Sequence, residues 1–362
     1  MSESGVLLVS PYDLSVPGGV QGQARAMALE LARRGRRVAL AAPGTWSDDQ
    51  LRDAGVLVFD KAPVTRLPAN GSQAPVTLSL RAASRLAHWA GAHGPFVAHL
   101  HEPSAPVLGW SLLRRHRGGL VATVHRSGVD RLYRAAGPVL AKLLNRLDVV
   151  VAVSEAAALT AHETMGLNAD VLFNGIDVEA LRAAEPWPTV GPTILFLGRD
   201  EPRKGRATLL EAARSLDSSV TIWLTGAPEE RAGKAEGASL EWLGVISEDE
   251  KRRRLRAAGV LCAPSLGGES FGIVLLEGLA AGCHVVASDI DGYRQALGGL
   301  GTLVAPSDPP ALAAALRRAL SGSFEPQAGR DQAERFSLTS LVDAYEDRYE
   351  LAAAGQRLSD ER

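Results

Sequence analysis

The residue types best suited to binding chemistry are concentrated in one stretch, PSLGGESFGIVLLEGLAAGCHVVAS, from Pro264 to Ser288. The pattern predicts the end of a strand, a glycine-rich loop, a helix and a further strand. Gly267 and Gly268 carry no side chain that would keep a ligand away from the backbone. The loop is therefore a candidate ligand site, although a plain crossover between two parallel strands has the same pattern.

The start of the predicted helix is a candidate anion site. Ser270 is predicted to cap this helix. The first amides then have no partner inside the helix, and they belong to Phe271, Gly272 and Ile273. Free amides and the positive end of the helix dipole favour an anion, and a diphosphate satisfies both.

Two carboxylates flank this anion site, Glu269 in the loop and Glu277 about two turns into the helix. A carboxylate repels a phosphate, so each must face another part of the ligand. Sugar hydroxyls are suitable partners because carboxylates accept hydrogen bonds from them. We therefore interpret the stretch as a nucleotide-sugar site, with Glu269 on the transferred sugar and Glu277 on the ribose.

Two cationic residues follow another predicted strand, in the segment GRDEPRKG. Arg199 and Lys204 could hold the diphosphate and stabilise the charge that develops when it leaves. Arg203 is expected to pair locally, for example with Glu201. A solvent-exposed basic turn is the alternative interpretation of this segment.

Candidate contacts in the first half of the chain lie next to predicted strands. Gly18 and Gly19 follow the first strand and open a helix, so they form a second phosphate-accepting turn or a plain tight turn. His125 ends the run LVATV and is expected at the carboxyl edge of a parallel sheet, where ligands bind in such folds. His101 and Glu102 follow another strand, and a structural role for them is equally open.

No metal site is expected from these residues. The histidines lack a compact set of cysteine or carboxylate partners. The segment Asp289-Ile290-Asp291 resembles a metal-binding DxD motif. It lies between a strand and a helix, however, where Asp291 is a natural helix cap.

Composition and charge limit the class of protein. The chain has 362 residues, a formal net charge of −2 and 46% hydrophobic residues. These values suit a globular protein of two domains and argue against general nucleic-acid binding. The N-terminus lacks the features of a signal peptide, and no apolar run reaches membrane-spanning length. We expect a cytoplasmic protein, either free or on the inner face of the cell membrane.

Short β-branched segments alternate with helical segments along the chain, which predicts an α/β fold with parallel sheets. Residues 61–75 contain three prolines and the turn pair Asn70-Gly71, and they are predicted to form a loop. The proline-containing segment 183–192 is the predicted linker. Predicted strands are 5–10, 37–41, 56–59, 96–100, 120–124, 148–153 and 171–173, then 193–197, 220–224, 240–243, 259–263, 284–287 and 302–305.

Taken together, these motifs resemble glycosyltransferase family 4. The match covers nearly the whole chain and includes VSPYDLSVPGGVQ, HEPSAP, SEAAA, FNGIDVEA, LFLGRDEPRKG and two glutamates with seven residues between them. The resemblance implies the GT-B fold, with two Rossmann-like domains facing each other across a cleft. It places the acceptor domain at 1–182, the donor domain at 183–337, and a last helix (338–362) that crosses back to the first domain.

The resemblance also implies a retaining transfer of a hexose. Its catalytic residues would be His125, Arg199, Lys204 and Glu269. Its donor contacts would be Gly19, Ser270, Phe271, Gly272, Ile273 and Glu277. A protein-bound metal is not implied, and an accompanying solvent Mg²⁺ ion is left open.

Within the family, the motifs are similar to those of the phosphatidyl-myo-inositol mannosyltransferases. That similarity implies GDP-mannose as donor, phosphatidyl-myo-inositol as acceptor, and peripheral membrane contact through a basic helix near residues 80–90. A solvated polar face is the alternative interpretation of this helix. The acceptor contacts would be Tyr12, Gln21, Asn70 and Arg126.

The acceptor half departs from that pattern at two positions. Asp130 lies where a lysine is expected, and Pro75 lies near the position of an expected arginine. Either Arg126 replaces the missing cation or the acceptor is a different molecule, for example a soluble one. The donor base, GDP or UDP, stays open. A nucleotide-sugar epimerase and a non-catalytic sugar-nucleotide-binding protein are the alternatives from other classes.

Overall fold

The computed structural model describes residues 4–16, 18–69, 72–126, 128, 140–227, 237–269, 271–322 and 324–360. The chain divides into two compact units. Unit 1 comprises Met1–Gly175 and Leu338–Arg362, and unit 2 comprises Ile176–Ser337. Each unit is built on a parallel sheet, so the predicted α/β class with two Rossmann-like series is confirmed.

The sheet of unit 1 reverses its strand order beside the first strand. Its strands are β1 (Gly5–Val9), β2 (Val38–Ala41), β3 (Leu57–Phe59), β6 (Phe96–His101), β7 (Leu120–Val124), β8 (Val149–Ala152) and β9 (Asp170–Val171), in the order β3-β2-β1-β6-β7-β8-β9. The connections from β1 lead to one side of the sheet and those from β6 to the other. Ligands in open α/β sheets bind outside the carboxyl ends of strands at such a switch point.

A hairpin interrupts this series where the sequence predicted a loop. β4 (Thr65–Ala69) pairs with β5 (Ser72–Val76) in an antiparallel ribbon, and residues 70–71 between them lie outside the described part. The prolines were misleading because both strands of an isolated ribbon are edge strands, and edges tolerate a missing amide donor. The carbonyl of Pro75 accepts a hydrogen bond of 2.9 Å from the amide of Asp13, which ties the hairpin to the loop after β1.

The sheet of unit 2, like that of unit 1, reverses its strand order. Its strands are β10 (Thr193–Phe196), β11 (Thr221–Thr225), β12 (Ser239–Gly244), β13 (Val260–Ala263), β14 (His284–Ser288) and β15 (Thr302–Val304), in the order β12-β11-β10-β13-β14-β15. Here the strand order reverses between β10 and β13, whose carboxyl ends are adjacent. The two charged motifs of the sequence follow these two strands.

Helices connect the strands of both sheets. They are α1 (Gly19–Arg33), α2 (Asp49–Asp53), α3 (Leu80–Ala92), α4 (Trp110–Arg115), α5 (Glu155–Met165), α6 (Val178–Ala183), α7 (Arg206–Ala213), α8 (Glu248–Ala257), α9 (Ile273–Ala281), α10 (Asp291–Leu297), α11 (Pro309–Ser321), α12 (Pro326–Glu334) and α13 (Leu338–Asp360). Residues 140–144 are also helical. Among the described residues, no helix combines the length and the apolar character needed to cross a bilayer.

Apolar side chains cover both faces of the first sheet. Leu7 and Val9 of β1 pack into one layer, whereas Val6 and Leu8 pack into the other. Such burial on both sides explains why the parallel strands read as continuous apolar runs. The second layer includes Tyr349 and its neighbours on α13, so the last helix belongs to the core of unit 1.

The chain passes between the units at two adjacent points. The division falls between Gly175 and Ile176, before the boundary at 182 and 183 that the sequence analysis expected. The difference arises because α6 packs against α8 and α9 of unit 2. The amide of Ile176 donates to the carbonyl of Phe336 at 2.9 Å, so the outgoing and returning segments lie side by side.

Candidate functional site

The glycine-rich loop of unit 2 leads into α9, which begins later than predicted. Its cap residue is Gly272, with a φ of 94°, and no side chain caps the helix. The helix begins two residues later than a cap at Ser270 would give, and Ser270 itself lies outside the described residues. A Cβ at Gly272 would lie only 2.7 Å from the ring of Tyr293, so the position requires glycine both for its backbone and for space.

The helix start still has the geometry that an anion needs. Ile273 is the first residue of α9, directly after the loop that carries Gly267 and Gly268. The side chain of Phe271 is 2% exposed and packs on the ring of Phe336, with 5.3 Å between the ring centroids. Phe271 can therefore offer a ligand little beyond its backbone.

Charged side chains form a connected cluster next to this loop. Glu269 Oε1 lies 2.6 Å from Arg203 Nη1 and 2.7 Å from Lys204 Nζ. Glu201 lies 2.7 Å from Arg203 Nη2 and 2.9 Å from Arg199 Nη2. The expected pair of Arg203 and Glu201 is thus confirmed, and Arg203 in addition links the two carboxylates.

Backbone packing brings the two halves of this cluster together. Pro202–Lys204 form a single 3-10 turn after β10, followed by Gly205 with a φ of 71°. The amide of Leu266 donates to the carbonyl of Arg203 at 2.7 Å. A Cβ at Gly205 would overlap the carbonyl oxygen of Pro264, so glycine permits this close approach. The basic turn is consequently held against the loop that carries Glu269.

Glu277 lies one turn into α9, not two, because the helix begins at Ile273. Its Oε1 accepts a hydrogen bond of 2.8 Å from Lys251 Nζ, which also contacts Glu248 at 2.7 Å. Burial alone would lower the pKa of Lys251, but the two carboxylates raise it above its usual value. A charged lysine therefore neutralises Glu277, and sequence reasoning missed it because Lys251 lies on a different helix.

The predicted histidine site of unit 1 is built from the ends of β6 and β7. His101 Nδ1 and His125 Nε2 lie 3.0 Å apart and share one hydrogen bond, whose direction depends on the tautomers. The amides of His125 and Arg126 each donate to Glu102 Oε2 at 3.0 Å. Ser104 donates to the other oxygen of Glu102 at 2.5 Å. Glu102 therefore holds the backbone after β7 in place. Its own backbone is in the left-handed region, with a φ of 50°.

Behind these residues, a buried hydrogen-bond chain reaches α13. His99 contacts Tyr349 Oη at 2.8 Å and Thr123 Oγ1 at 2.7 Å. Thr123 Oγ1 in turn contacts Tyr345 Oη at 2.6 Å. The rings of His99 and His101 stack with 4.4 Å between their centroids. The last helix thus supports the histidine site from behind, a link that the sequence did not indicate.

Burial keeps these imidazoles neutral. It lowers the pKa of His125 to about 3. It likewise lowers the pKa of His99 to about 3 and that of His101 well below its usual value. Burial has the opposite effect on the Glu102 carboxyl, whose pKa it raises. At neutral pH, His125 can therefore donate or accept a hydrogen bond without bringing a charge.

The loop after β1 is shaped by its own side chains. Gly18 is the cap residue of α1, and Gly19 is its first residue. The buried amide of Gln21 donates to the carbonyl of Val16 at 3.2 Å, and a Cβ at Gly18 would overlap Gln21 Oε1. Gln21 therefore helps to hold the glycine turn, beside any contact with an acceptor. The amide of Tyr12 donates to Ser10 Oγ at 3.2 Å.

Arg126 and Asn70 are the other two predicted acceptor contacts. The half-buried Arg126 directs its Nε to the carbonyl of Gly128 at 3.3 Å. Asn70 lies outside the described residues, as does Asp130, whose acidic character distinguished this acceptor half.

The DxD segment does not cap a helix as predicted. Ile290 is the cap residue of α10 and Asp291 is its first residue. Arg294 pairs with Asp289 at 2.6 Å and with Asp291 at 2.9 Å. Within the described part of the chain, no three histidine, cysteine or carboxylate side chains are grouped as metal ligands would be.

Comparison with known proteins identifies the family. The chain is 38% identical over 328 residues to phosphatidyl-myo-inositol mannosyltransferase of Mycobacterium leprae, which covers 85% of each chain. Residues 17–180 match the model for Glycosyltransferase Family 4, and residues 191–322 match the model for Glycosyl transferases group 1. The chain belongs to glycosyltransferase family 4. The two models correspond to the two series of strands.

A further relative and two solved structures extend the comparison. The chain is 30% identical over 408 residues to D-inositol 3-phosphate glycosyltransferase of Mycolicibacterium gilvum, covering 99% of this chain and 90% of that one. The solved glycosyltransferase of Rickettsia africae has the same fold, with a TM-score of 0.77 at 18% identity over 97% of this chain and 99% of that chain. Anabaena Alr3699/HepE in complex with UDP and glucose gives a TM-score of 0.74 at 18% identity, over 96% and 100%. The predicted GT-B fold is confirmed.

Proposed function

We propose that this glycosyltransferase moves mannose from GDP-mannose to an inositol-containing lipid, phosphatidyl-myo-inositol, with retention of the anomeric configuration. The observation that carries the donor half is the contact of Lys204 with Glu269 at 2.7 Å, beside the start of α9. A cation for the diphosphate and a carboxylate for the sugar are thus neighbours, as a nucleotide sugar requires.

In the proposed reaction, the bond between the sugar C1 and the diphosphate oxygen breaks while the acceptor hydroxyl attacks C1 from the same face. The acceptor proton passes to the departing diphosphate oxygen. Arg199, Lys204 and the first amides of α9 stabilise the negative charge on that leaving group. His125, as a neutral imidazole, orients the transferred sugar by a hydrogen bond.

The charged cluster suggests how the donor is received. Lys204 and Glu269 already neutralise one another, and their side chains are 18% and 14% exposed. A diphosphate competes with Glu269 for Lys204, and the carboxylate released in this exchange becomes available for sugar hydroxyls. Arg203 keeps its ion pair with Glu201. Its second ion pair, with Glu269, holds the Glu269 carboxylate near its position. Glu277 has a separate role on the ribose.

The acceptor assignment draws on the names of the relatives and on the surface of unit 1. The relatives named above act on a phosphatidyl-myo-inositol and on a D-inositol 3-phosphate, so inositol is the shared chemistry. Arg81, Arg85 and His88 are exposed on α3, which supports contact with an anionic membrane. The soluble inositol phosphate is the second candidate, because Asp130 and Pro75 stand where cations were expected.

Nucleotide release separates the candidates. Purified protein is incubated with GDP-mannose alone, with phosphatidylinositol vesicles, with phosphatidylcholine vesicles, or with soluble inositol 3-phosphate, and UDP-sugars serve as donor controls. Stimulation of GDP release by phosphatidylinositol vesicles only is the expected result. Stimulation by inositol 3-phosphate only would transfer the assignment to a soluble acceptor. Release from a UDP-sugar but not from GDP-mannose would contradict the mannosyl assignment.

A further inference from the structure

A second basic site lies in unit 2, in a cavity of about 300 Å³ lined by Arg182, Arg256, Gln327 and Arg330. Arg182 is in the last turn of α6 and Arg256 in the last turn of α8. Gln327 and Arg330 belong to α12. Three guanidinium groups from three helices therefore converge on one small volume.

The cavity lies at the opposite edge of the sheet from the proposed donor site. The donor cluster follows the carboxyl ends of β10 and β13, next to the start of α9. Arg256 Nη1 instead donates to the carbonyl of Ala281 at 3.0 Å, at the far end of α9. α9 has nine residues and so separates the two places by about 13 Å. The donor phosphates cannot account for these arginines.

Part of the basic site lacks hydrogen-bond partners. The Nε atoms of Arg256 and Arg330 are buried, and no partner for either is found among the described residues. Buried donors are nearly always satisfied by protein or by ordered water. A Cβ at Gly282 would lie 3.1 Å from Arg330 Nη2, so the glycine leaves room for the guanidinium at the end of α9. Because both Nε atoms are enclosed, the outer nitrogens of these two guanidinium groups are the ones that can line the cavity.

A purely structural role explains only part of this arrangement. Cations near the end of a helix stabilise its negative pole, and the bond from Arg256 to Ala281 does this for α9. Such a role does not account for Arg182 and Arg330, which line the same cavity from two other helices. The nearby acids are occupied at the rim: Glu334 contacts Arg182 at 3.0 Å, and Asp331 accepts from Gln327 at 2.6 Å. The pair of Arg182 and Glu334 is exposed and hence weak, with 42% and 54% of the side chains accessible.

We propose that this cavity binds a phosphate group, either as inorganic phosphate or carried by a phosphorylated small molecule. The planar guanidinium groups of Arg256 and Arg330 match the oxygens of a phosphate, and a doubly charged anion offsets the charges that the three arginines bring together. Arg182 exchanges Glu334 for the same anion. The site is separate from the proposed glycosyl transfer, and it links α12 to α6 next to the segments that join the two units.

The direct test is a titration of the full-length protein, labelled with ¹⁵N, in which the Nε–H resonances of the arginines are observed. The probes are inorganic phosphate and myo-inositol 1-phosphate, with sodium chloride at equal ionic strength as control. Saturable shifts of the Arg256 and Arg330 resonances are expected with at least one phosphate probe and not with chloride. The probe that binds more tightly identifies the source of the phosphate group. Shifts that are absent, unsaturable or equal in chloride would overturn the proposal.

Variants provide the second test. Arg330→Gln and Arg256→Gln each remove one guanidinium group. The affinity for the phosphate probe that binds more tightly should fall at least tenfold. Arg318→Gln is the matched control, because it removes an exposed arginine from the last turn of α11, outside the cavity. Unchanged binding in both cavity variants would also overturn the proposal. Because the wild-type resonances report on this cavity directly, the result does not depend on any transferase assay.

Discussion

The two units carry predicted site residues of opposite electrostatic character. In unit 1, His125 is half-buried and uncharged; its ring shares a hydrogen bond with His101, and its amide donates one to Glu102. In unit 2, Lys204 and Glu269 are partly exposed and form a cluster of full charges. The first arrangement resists rearrangement, since each broken bond would leave a buried polar group unsatisfied. The second can exchange partners, because a diphosphate can take the place of Glu269 beside Lys204, whose side chain is still 18% exposed.

Under the proposed function, this contrast would separate a donor contact that changes partners from a contact that keeps a fixed geometry. A charged cluster can release Lys204 to a diphosphate and accept it again after the product leaves. A neutral, buried group holds His125 in one orientation throughout. The same substitution should therefore have different consequences in the two units.

Lys204→Ala should have the largest effect on activity. Loss of one preorganised cation at the leaving group should lower kcat by roughly 10²–10³-fold. The KM for the donor should change much less, because the charge develops mainly in the transition state. Steady-state GDP release measures both constants, and Lys142→Ala, an exposed lysine in unit 1, is the control. Equal losses in kcat and in donor affinity would show that Lys204 only binds the donor.

A pair of glutamate substitutions tests the contrast itself. Glu102→Gln cannot accept hydrogen bonds at both oxygens, so the amides of His125 and Arg126 or the hydroxyl of Ser104 lose a partner. The free energy of unfolding should fall by about 1–3 kcal/mol. Glu269→Gln should lower stability by less while lowering activity, since Arg203 keeps Glu201 as a second partner. Urea unfolding of both variants gives the comparison, and equal destabilisation would refute the proposed difference between the units.

Stability should decline in acid because of the buried histidines. The pKa values of His99 and His125 are about 3 in the folded protein, against about 6.5 for a free imidazole. Between these values the unfolded chain binds more protons than the folded chain, so unfolding becomes easier as the pH falls below about 6.5. Each histidine contributes up to about 1.4 kcal/mol per pH unit in this window. Glu102 acts in the opposite direction, because its pKa is raised.

Urea unfolding at pH 7 and pH 5 measures this dependence. His99→Gln should flatten it, whereas His162→Gln, at an exposed position, should leave it unchanged. A wild-type stability that is equal at the two pH values would contradict the burial of neutral imidazoles.

The smallest effect is expected from the DxD segment. Asp289 and Asp291 are exposed and pair with Arg294, so Asp289→Asn and Asp291→Asn should retain activity within about twofold. Their response to EDTA and to added Mg²⁺ should match that of the wild-type protein. A selective loss of metal-dependent activity in Asp291→Asn would assign a metal to this segment after all.

Much of the candidate site could be predicted from local pattern. Arg199, Lys204, His125 and the glycine-rich loop all follow apolar runs, and parallel strands bring such positions to one edge of a sheet. Local pattern failed where helix starts had to be chosen. Ser270 and Asp291 are good capping residues by type, yet α9 begins after Gly272 and α10 after Ile290. The backbone conformation of the preceding loop decided these starts, and residue type alone does not reveal it.

The sequence by itself determined the alternation of strands and helices, the two series, and the family to which they belong. These features follow from hydrophobic periodicity and from motifs read in order, which are properties of neighbouring residues. Only the tertiary structure decided the partners of the functional groups. His99 meets Tyr349, 250 positions away, and Lys204 meets Glu269 from another loop. Such pairs form because packing of whole elements brings distant side chains together, and no local pattern encodes which of many similar residues will meet.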